Sequence, residues 1–189
     1  MELTAYHGTI SKHQSSIEEK GLDPDSTSIR KDHWLGQGVY FFDDKKKALW
    51  WAKSLIKRNS SCYPLVYRAQ IVANDKNVLD LTDVAQVDGF YKEIRDFVKQ
   101  NMTNEKGEYP VFSRHEFRAL FFDYYRETHN IFVVIALFPK EFAGYTALVP
   151  SEEKDLHKKL VDLTQIVYLE KQICVSKKDA IHHITKEEF

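Results

Sequence analysis

Trp34-Leu35-Gly36-Gln37-Gly38-Val39-Tyr40-Phe41-Phe42 is the stretch on which the reading of this chain turns. Two glycines separated by one residue lead into a β-branched and aromatic run, which predicts a short buried strand entered through a tight backbone turn. The same arrangement lets a flat ligand lie against the Tyr40 ring, while a plain core strand is the simpler use of these aromatics. Downstream, Asp43 is expected to cap a helix from Lys45 to Arg58, with Ala48, Trp51, Ala52 and Leu55 at helical spacing. Upstream lies a polar loop, Asp23 to His33, opened by Asp-Pro-Asp. Before it, Ser11 is expected to cap a helix over Lys12 to Lys20, anchored by Ile10 and Ile17 and closed by Gly21. The chain starts with a strand, Leu3 to Tyr6, ending in His7-Gly8-Thr9.

Further along, Pro64 to Ala73 and Val78 to Leu81 read as strands. Val84 to Met102 reads as a helix presenting Phe90, Ile94, Phe97 and Val98 on one face. A turn-rich insert, Asn104 to Glu108, precedes a helix from Ser113 to Glu127 with a Phe117-Leu120-Phe121-Tyr124 core stripe. Ile131 to Phe138 is the clearest strand, Lys140 to Lys154 reads as loop, and Ile166 to Val175 as one strand or a hairpin. Short strands among three or four helices predict a mixed α+β fold, with residues 1–189 forming a single domain. The dinucleotide glycine fingerprint and the phosphate loop are both absent.

The 189 residues are 43% apolar and 13% aromatic, enough for a sizeable core. With 27 Lys and Arg against 28 Asp and Glu, bulk charge offers no attraction to nucleic acid or anionic membrane. Two cysteines make neither a disulfide framework nor a four-thiolate zinc site, and Cys174 within Ile173-Cys174-Val175 reads as a buried thiol. The opening residues lack the pattern of a signal peptide, and no apolar run approaches the roughly 18 residues of a membrane span. The expectation is a cytoplasmic protein that binds no metal and no membrane.

Tyr6-His7-Gly8-Thr9 sets a polar aromatic and an imidazole at a strand end, beside a glycine that admits close approach to the main chain. His182-His183 with Lys186 to Glu188 reads as a frayed polar tail in preference to a metal site, since adjacent side chains on a strand point to opposite faces. Arg114-His115-Glu116 with Arg118 reads as a solvated helix face or as an acceptor contact near a cleft. Lys45-Lys46-Lys47 reads as surface, or as a phosphate contact.

Tyr6-His7-Gly8-Thr9, Ile17, Gly21-Leu22, Leu35 to Phe42, Ala48 and Trp51-Ala52, taken in order, resemble the ADP-ribosyltransferase fold. The similarity is to its histidine-tyrosine class, which includes the poly(ADP-ribose) polymerases and diphtheria-toxin-like enzymes. Gln172-Ile173-Cys174-Val175 with Asp179-Ala180-Ile181 resembles the third motif of that class. The resemblance implies a split β-sheet with flanking helices whose cleft binds NAD as substrate and releases nicotinamide. His7 would bond a ribose hydroxyl, Gly8 would hold the carboxamide through its backbone, and Tyr40 would stack on the nicotinamide with Tyr6 or Phe41 in support. Thr9 and Gly38 would complete the NAD-binding set. The class places a Glu where this chain has Gln172, an amide that bonds a hydroxyl but opposes no cation. Glu170, two residues earlier on the strand, points to the same face and can supply the missing carboxylate.

Three expectations follow. One is a transferase moving ADP-ribose to a protein or nucleic-acid acceptor, with Glu170 or Glu116 assisting. Another is an NAD-using enzyme similar to the tRNA 2'-phosphotransferases, which share the His-Gly-Thr opening. The third is a catalytically silent module that binds NAD, ADP-ribose or a protein. By analogy to the fold alone, the resemblance also implies a toxin or defence factor with a neutralising protein partner.

Overall fold

The computed structural model describes residues 1–27, 33–57, 61–101, 114–139 and 169–189. Among them, seven strands form one sheet: β1 (Glu2–Ile10), β2 (Val39–Phe42), β3 (Pro64–Val72), β4 (Val78–Asp80), β5 (Val133–Pro139), β6 (Leu169–Val175) and β7 (Ile181–Lys186). Their order across the sheet is β4-β5-β6-β2-β1-β3-β7. All neighbours run antiparallel except β4 and β5. Four α-helices accompany them: α1 (Gln14–Lys20), α2 (Lys45–Ile56), α3 (Val84–Asn101) and α4 (Arg114–His129). The fold is mixed α+β.

The sheet is weakest in the middle. β1 pairs with β3 along its whole length, Glu2↔Val72 to Ile10↔Pro64, but with β2 only at Tyr6↔Phe42. The ladder also fixes where each peptide points. Beyond the two ends of β1, Ala73 N–H donates to the Met1 carbonyl and Ser11 N–H donates to the Tyr63 carbonyl. Odd-numbered residues of β1 therefore bond to β3, and even-numbered ones, Gly8 included, direct N–H and C=O towards β2.

Helix α2 lies on the face of β1 that carries Tyr6 and Gly8, and it buries Ala48 and Ala52 there. A Cβ on Gly8 would overlap the Ala48 carbonyl oxygen and crowd its carbon at 2.8 Å, so only glycine permits this approach. Helices α3 and α4 cover β4, β5 and β6 through Phe90, Phe121 and Phe122, with Phe90 against Phe121 at 5.3 Å. The opposite face of the sheet holds the larger core, with Phe41, Ile71, Ile173 and Val175.

Several expectations are corrected by these contacts. His7, Gly8 and Thr9 lie inside β1 and not at its end, because pairing with β3 continues through Ile10. Ser11 does not cap a helix: its hydroxyl accepts from Tyr63 N–H, and the segment starts as a 3-10 turn before α1. Asp44, not Asp43, caps α2 by accepting from Lys46 and Lys47 N–H, while Asp43 bonds the Lys47 ammonium. On α4 the buried stripe is Phe117, Phe121, Phe122 and Tyr125, whereas Leu120 and Tyr124 are exposed. The C-terminal segment is no frayed tail, since β7 pairs with β3 and Lys45 binds Glu187 at 3.0 Å. Cys174 is fully buried as expected. The insert at Asn104 to Glu108, the Lys140 to Lys154 loop and Ile166 to Tyr168 lie outside the described residues.

Two glycines separate packing from propensity. Gly8→Ala is expected to cost about 1–3 kcal/mol through overpacking against Ala48. Gly89 on α3 has open space around it. There Gly89→Ala should stabilise by about 0.5–1 kcal/mol. Urea midpoints at unchanged slope measure both.

Candidate functional site

The sheet opens beside Tyr6↔Phe42. The next pair would set Gly8 against Tyr40, but His7 takes the Tyr40 carbonyl instead, at 2.8 Å from its Nδ1. A carbonyl only accepts, so Nδ1 carries the proton and donates. The neutral ring then leaves Nε2 as an acceptor, and Nε2 has no partner among the described residues. Burial holds the imidazole below its usual 6.5, against a smaller raising effect from the Tyr40 bond. Phe41, fully buried, meets the His7 ring edge-on at 5.8 Å.

Two cavities meet at this opening. The first, about 260 Å³, lies on the face of Tyr40, Phe42, Glu170 and Gln172, with Trp51 of α2 as a further wall. The second, about 330 Å³, is bordered by Thr9, Ile17, Leu22 and Asp23. His7, Thr27, His33, Gly38 and Val39 border both.

Tyr40 offers its ring rather than its hydroxyl. The phenol accepts from Leu35 N–H and donates to the Gly36 carbonyl, each at 2.7 Å. Burial raises its pKa well above the usual 10, so it neither gives nor takes protons in the working range.

On β6, Glu170 and Gln172 point the same way, as alternation requires. Gln172 Nε2 donates to Glu170 Oε1 at 2.7 Å, and both line the first cavity. Glu170 is 2% exposed, which places a carboxylate in a largely enclosed and aromatic setting. The amide fixes the acid, and the acid turns the Gln172 carbonyl oxygen into the remaining acceptor.

The expected residues are thus mostly brought together, with two differences of role. Phe41 belongs to the core and supports His7. Gly8 is buried beneath Ala48 and borders neither cavity, although its peptide edge faces the gap between β1 and β2. Glu116 is exposed on α4 and lines none of these walls. Lys45 and Lys47 are paired to Glu187 and Asp43. His182 and His183 are exposed with ring centres 6.4 Å apart. Among the described residues, no group of three or more His, Cys, Asp or Glu could hold a metal ion. No helix among them is long and apolar enough to cross a membrane.

Trp51, Trp34, His33 and Thr27 are among the site residues that sequence reasoning missed. Trp51 fell into the α2 core stripe, yet it is 39% exposed while Ala48 and Ala52 are buried. A large ring flanking a small-residue stripe is the signal: alanines bring the helix close, and the ring must lean over the neighbouring strand. Arg118 places its guanidinium 4.9 Å from the Trp34 ring centre, so α4 reaches the cavity wall through an aromatic face.

No family model matches the chain, and no solved structure matches it. Over 88 residues it is 28% identical to the uncharacterized protein MJ0359 of Methanocaldococcus jannaschii. That similarity covers 44% of this chain and 39% of the archaeal protein, so the chain spans well under half of this relative.

The His7 tautomer has a measurable consequence. Its pKa is lowered on folding, so the unfolded chain binds the proton more readily and stability falls as pH drops below about 6.5. His7→Asn keeps a donor for the Tyr40 carbonyl but does not titrate. Urea midpoints between pH 7.5 and 5 should fall more steeply for the wild type than for His7→Asn.

Proposed function

We propose that this chain is an NAD-dependent ADP-ribosyltransferase, moving ADP-ribose from NAD to a macromolecular acceptor and releasing nicotinamide. The observation that carries this reading is the opening between β1 and β2. There the His7 acceptor, two aromatic rings and a held carboxylate line the first cavity, and the Gly8 peptide edge faces the adjoining gap between the strands. The order of motifs, with the sheet parted where that order puts the ligand, adds to it.

The chemistry asks for few protons. Breaking the bond between the ribose C1' and the pyridinium nitrogen sends the bonding pair to nicotinamide, which departs neutral. The ribose becomes an oxocarbenium ion, captured by an acceptor nucleophile that gives up its proton. In this reading the nicotinamide half enters the first cavity and lies between the faces of Tyr40 and Trp51, with its carboxamide on the Gly8 peptide. His7 Nε2 accepts from a ribose hydroxyl, and the adenosine half extends into the second cavity. Gln172 holds a hydroxyl of the nicotinamide ribose through its carbonyl oxygen. Glu170 supplies the negative charge that Gln172 lacks, opposite the growing cation and inside a low-dielectric wall where it counts most.

Glu170→Gln preserves shape and hydrogen bonding while deleting the charge. It should lower nicotinamide release by about 100-fold or more, with little change in KM. Purified protein is incubated with labelled NAD, alone and with cell extract. Release with label on protein or nucleic acid supports the transferase, and release without transfer replaces it with a glycohydrolase. NAD binding without release would favour the silent module instead. An unaffected Glu170→Gln removes Glu170 from the mechanism.

A further inference from the structure

The mechanism above makes no use of the buried cation on α4. Arg126 is 6% exposed, and its Nη1 donates to the carbonyls of Leu35 and Gln37. One turn earlier Asp123 accepts from Gln37 N–H at 2.8 Å and faces Arg126 at 3.8 Å. A Cβ on Gly36 would overlap the Asp123 carboxylate and lie 2.9 Å from Arg126, and Gly36 takes a φ of 81°. The carboxylate and guanidinium therefore press directly on a bare Cα.

Tyr40 completes the frame from the other side by binding Leu35 N–H and the Gly36 carbonyl. Leu35 N–H and C=O, Gly36 C=O, and Gln37 N–H and C=O are all held, partly from α4 and partly from β2. The segment has no regular secondary structure, yet it is tied at each of these groups. Trp34 and Gly38, immediately on either side, line the first cavity together with Tyr40.

We propose that Asp123 and Arg126 are positioning residues: they set the backbone of residues 35–37 and thereby the aromatic wall of the first cavity. This rests on the transferase reading for its catalytic consequence, but not for its structural one. Neither residue borders the cavity, so they act through Trp34, Gly38 and Tyr40 and not on a ligand. Loss of such support displaces a wall, and misplacement on the order of 1 Å is enough to cost about 100-fold in rate.

Asp123 has a half-exposed side chain, so its replacement leaves the core intact. Asp123→Ala removes the acceptor for Gln37 N–H, and Asp123→Asn restores an acceptor. Arg126→Lys, as a second variant, keeps the charge on a shorter stem that does not bring its nitrogen to the Leu35 and Gln37 carbonyls, and it should likewise speed amide exchange at Gln37. The measurements are amide hydrogen exchange at Leu35 and Gln37, and kcat/KM for nicotinamide release by the folded protein. Asp123→Ala should speed Gln37 exchange by about tenfold or more and lower kcat/KM by at least about tenfold, with both recovered in Asp123→Asn. Unchanged exchange at Gln37, or unchanged kcat/KM in an active enzyme, overturns the proposal. If the wild type releases no nicotinamide, the transferase reading fails and the exchange data alone decide whether the pair holds the wall.

Discussion

The hydrogen bond from His7 Nδ1 to the Tyr40 carbonyl is the constraint on which the rest of the structure depends. A continuous sheet would set Gly8 against Tyr40 and close the centre of the molecule. The imidazole takes that carbonyl for itself, so β1 and β2 part after a single pair. One side chain thus stops a ladder, leaves a peptide edge facing a gap and turns its own Nε2 into an acceptor. The cost is a half-buried imidazole that desolvation holds below its usual pKa, while the Tyr40 bond fixes its tautomer. Two cavities, one on each face of the sheet, meet at that ring.

The parted strands need support from elsewhere. Helix α2 presses Ala48 onto Gly8 and thereby brings Trp51 over the first cavity. Helix α4 braces the Leu35-Gly36-Gln37 segment with a carboxylate and a guanidinium. The chain's end is fixed to α2 through Lys45 and Glu187. Helix α2 comes close with its backbone at Gly8 and helix α4 with its side chains at Gly36, which is why glycines occupy the two contact points. On β6 a charge and an amide alternate with core residues, and strand geometry alone aims both at the cleft.

Much of this was legible in the residues, but unevenly. Helices α2, α3 and α4 and strands β3, β4 and β5 announce themselves through periodicity and aromatic runs, to within a few residues. The shared face of Glu170 and Gln172 follows from a period of two. The register of β1 does not, because His7-Gly8-Thr9 reads as a strand end until β3 is seen to pair through Ile10. Polar β7 lacked any alternation and was legible only through its partner strand. Leu120 and Tyr124 fit a helical stripe as well as Phe122 and Tyr125 do, and only the location of the sheet decides between them. Trp51 was hidden by that same stripe logic, since hydrophobic spacing does not distinguish a ring in the core from one leaning over a cavity.

Nitrogen-detected NMR of the His7 ring and the Gly8 amide, with and without saturating NAD, is the most direct measurement of the parted site. A neutral ring protonated at Nδ1 is expected in both states, with Nε2 and the Gly8 amide shifted when NAD binds. A ring protonated at Nε2, or a His7 and Gly8 untouched by bound NAD, would contradict that reading.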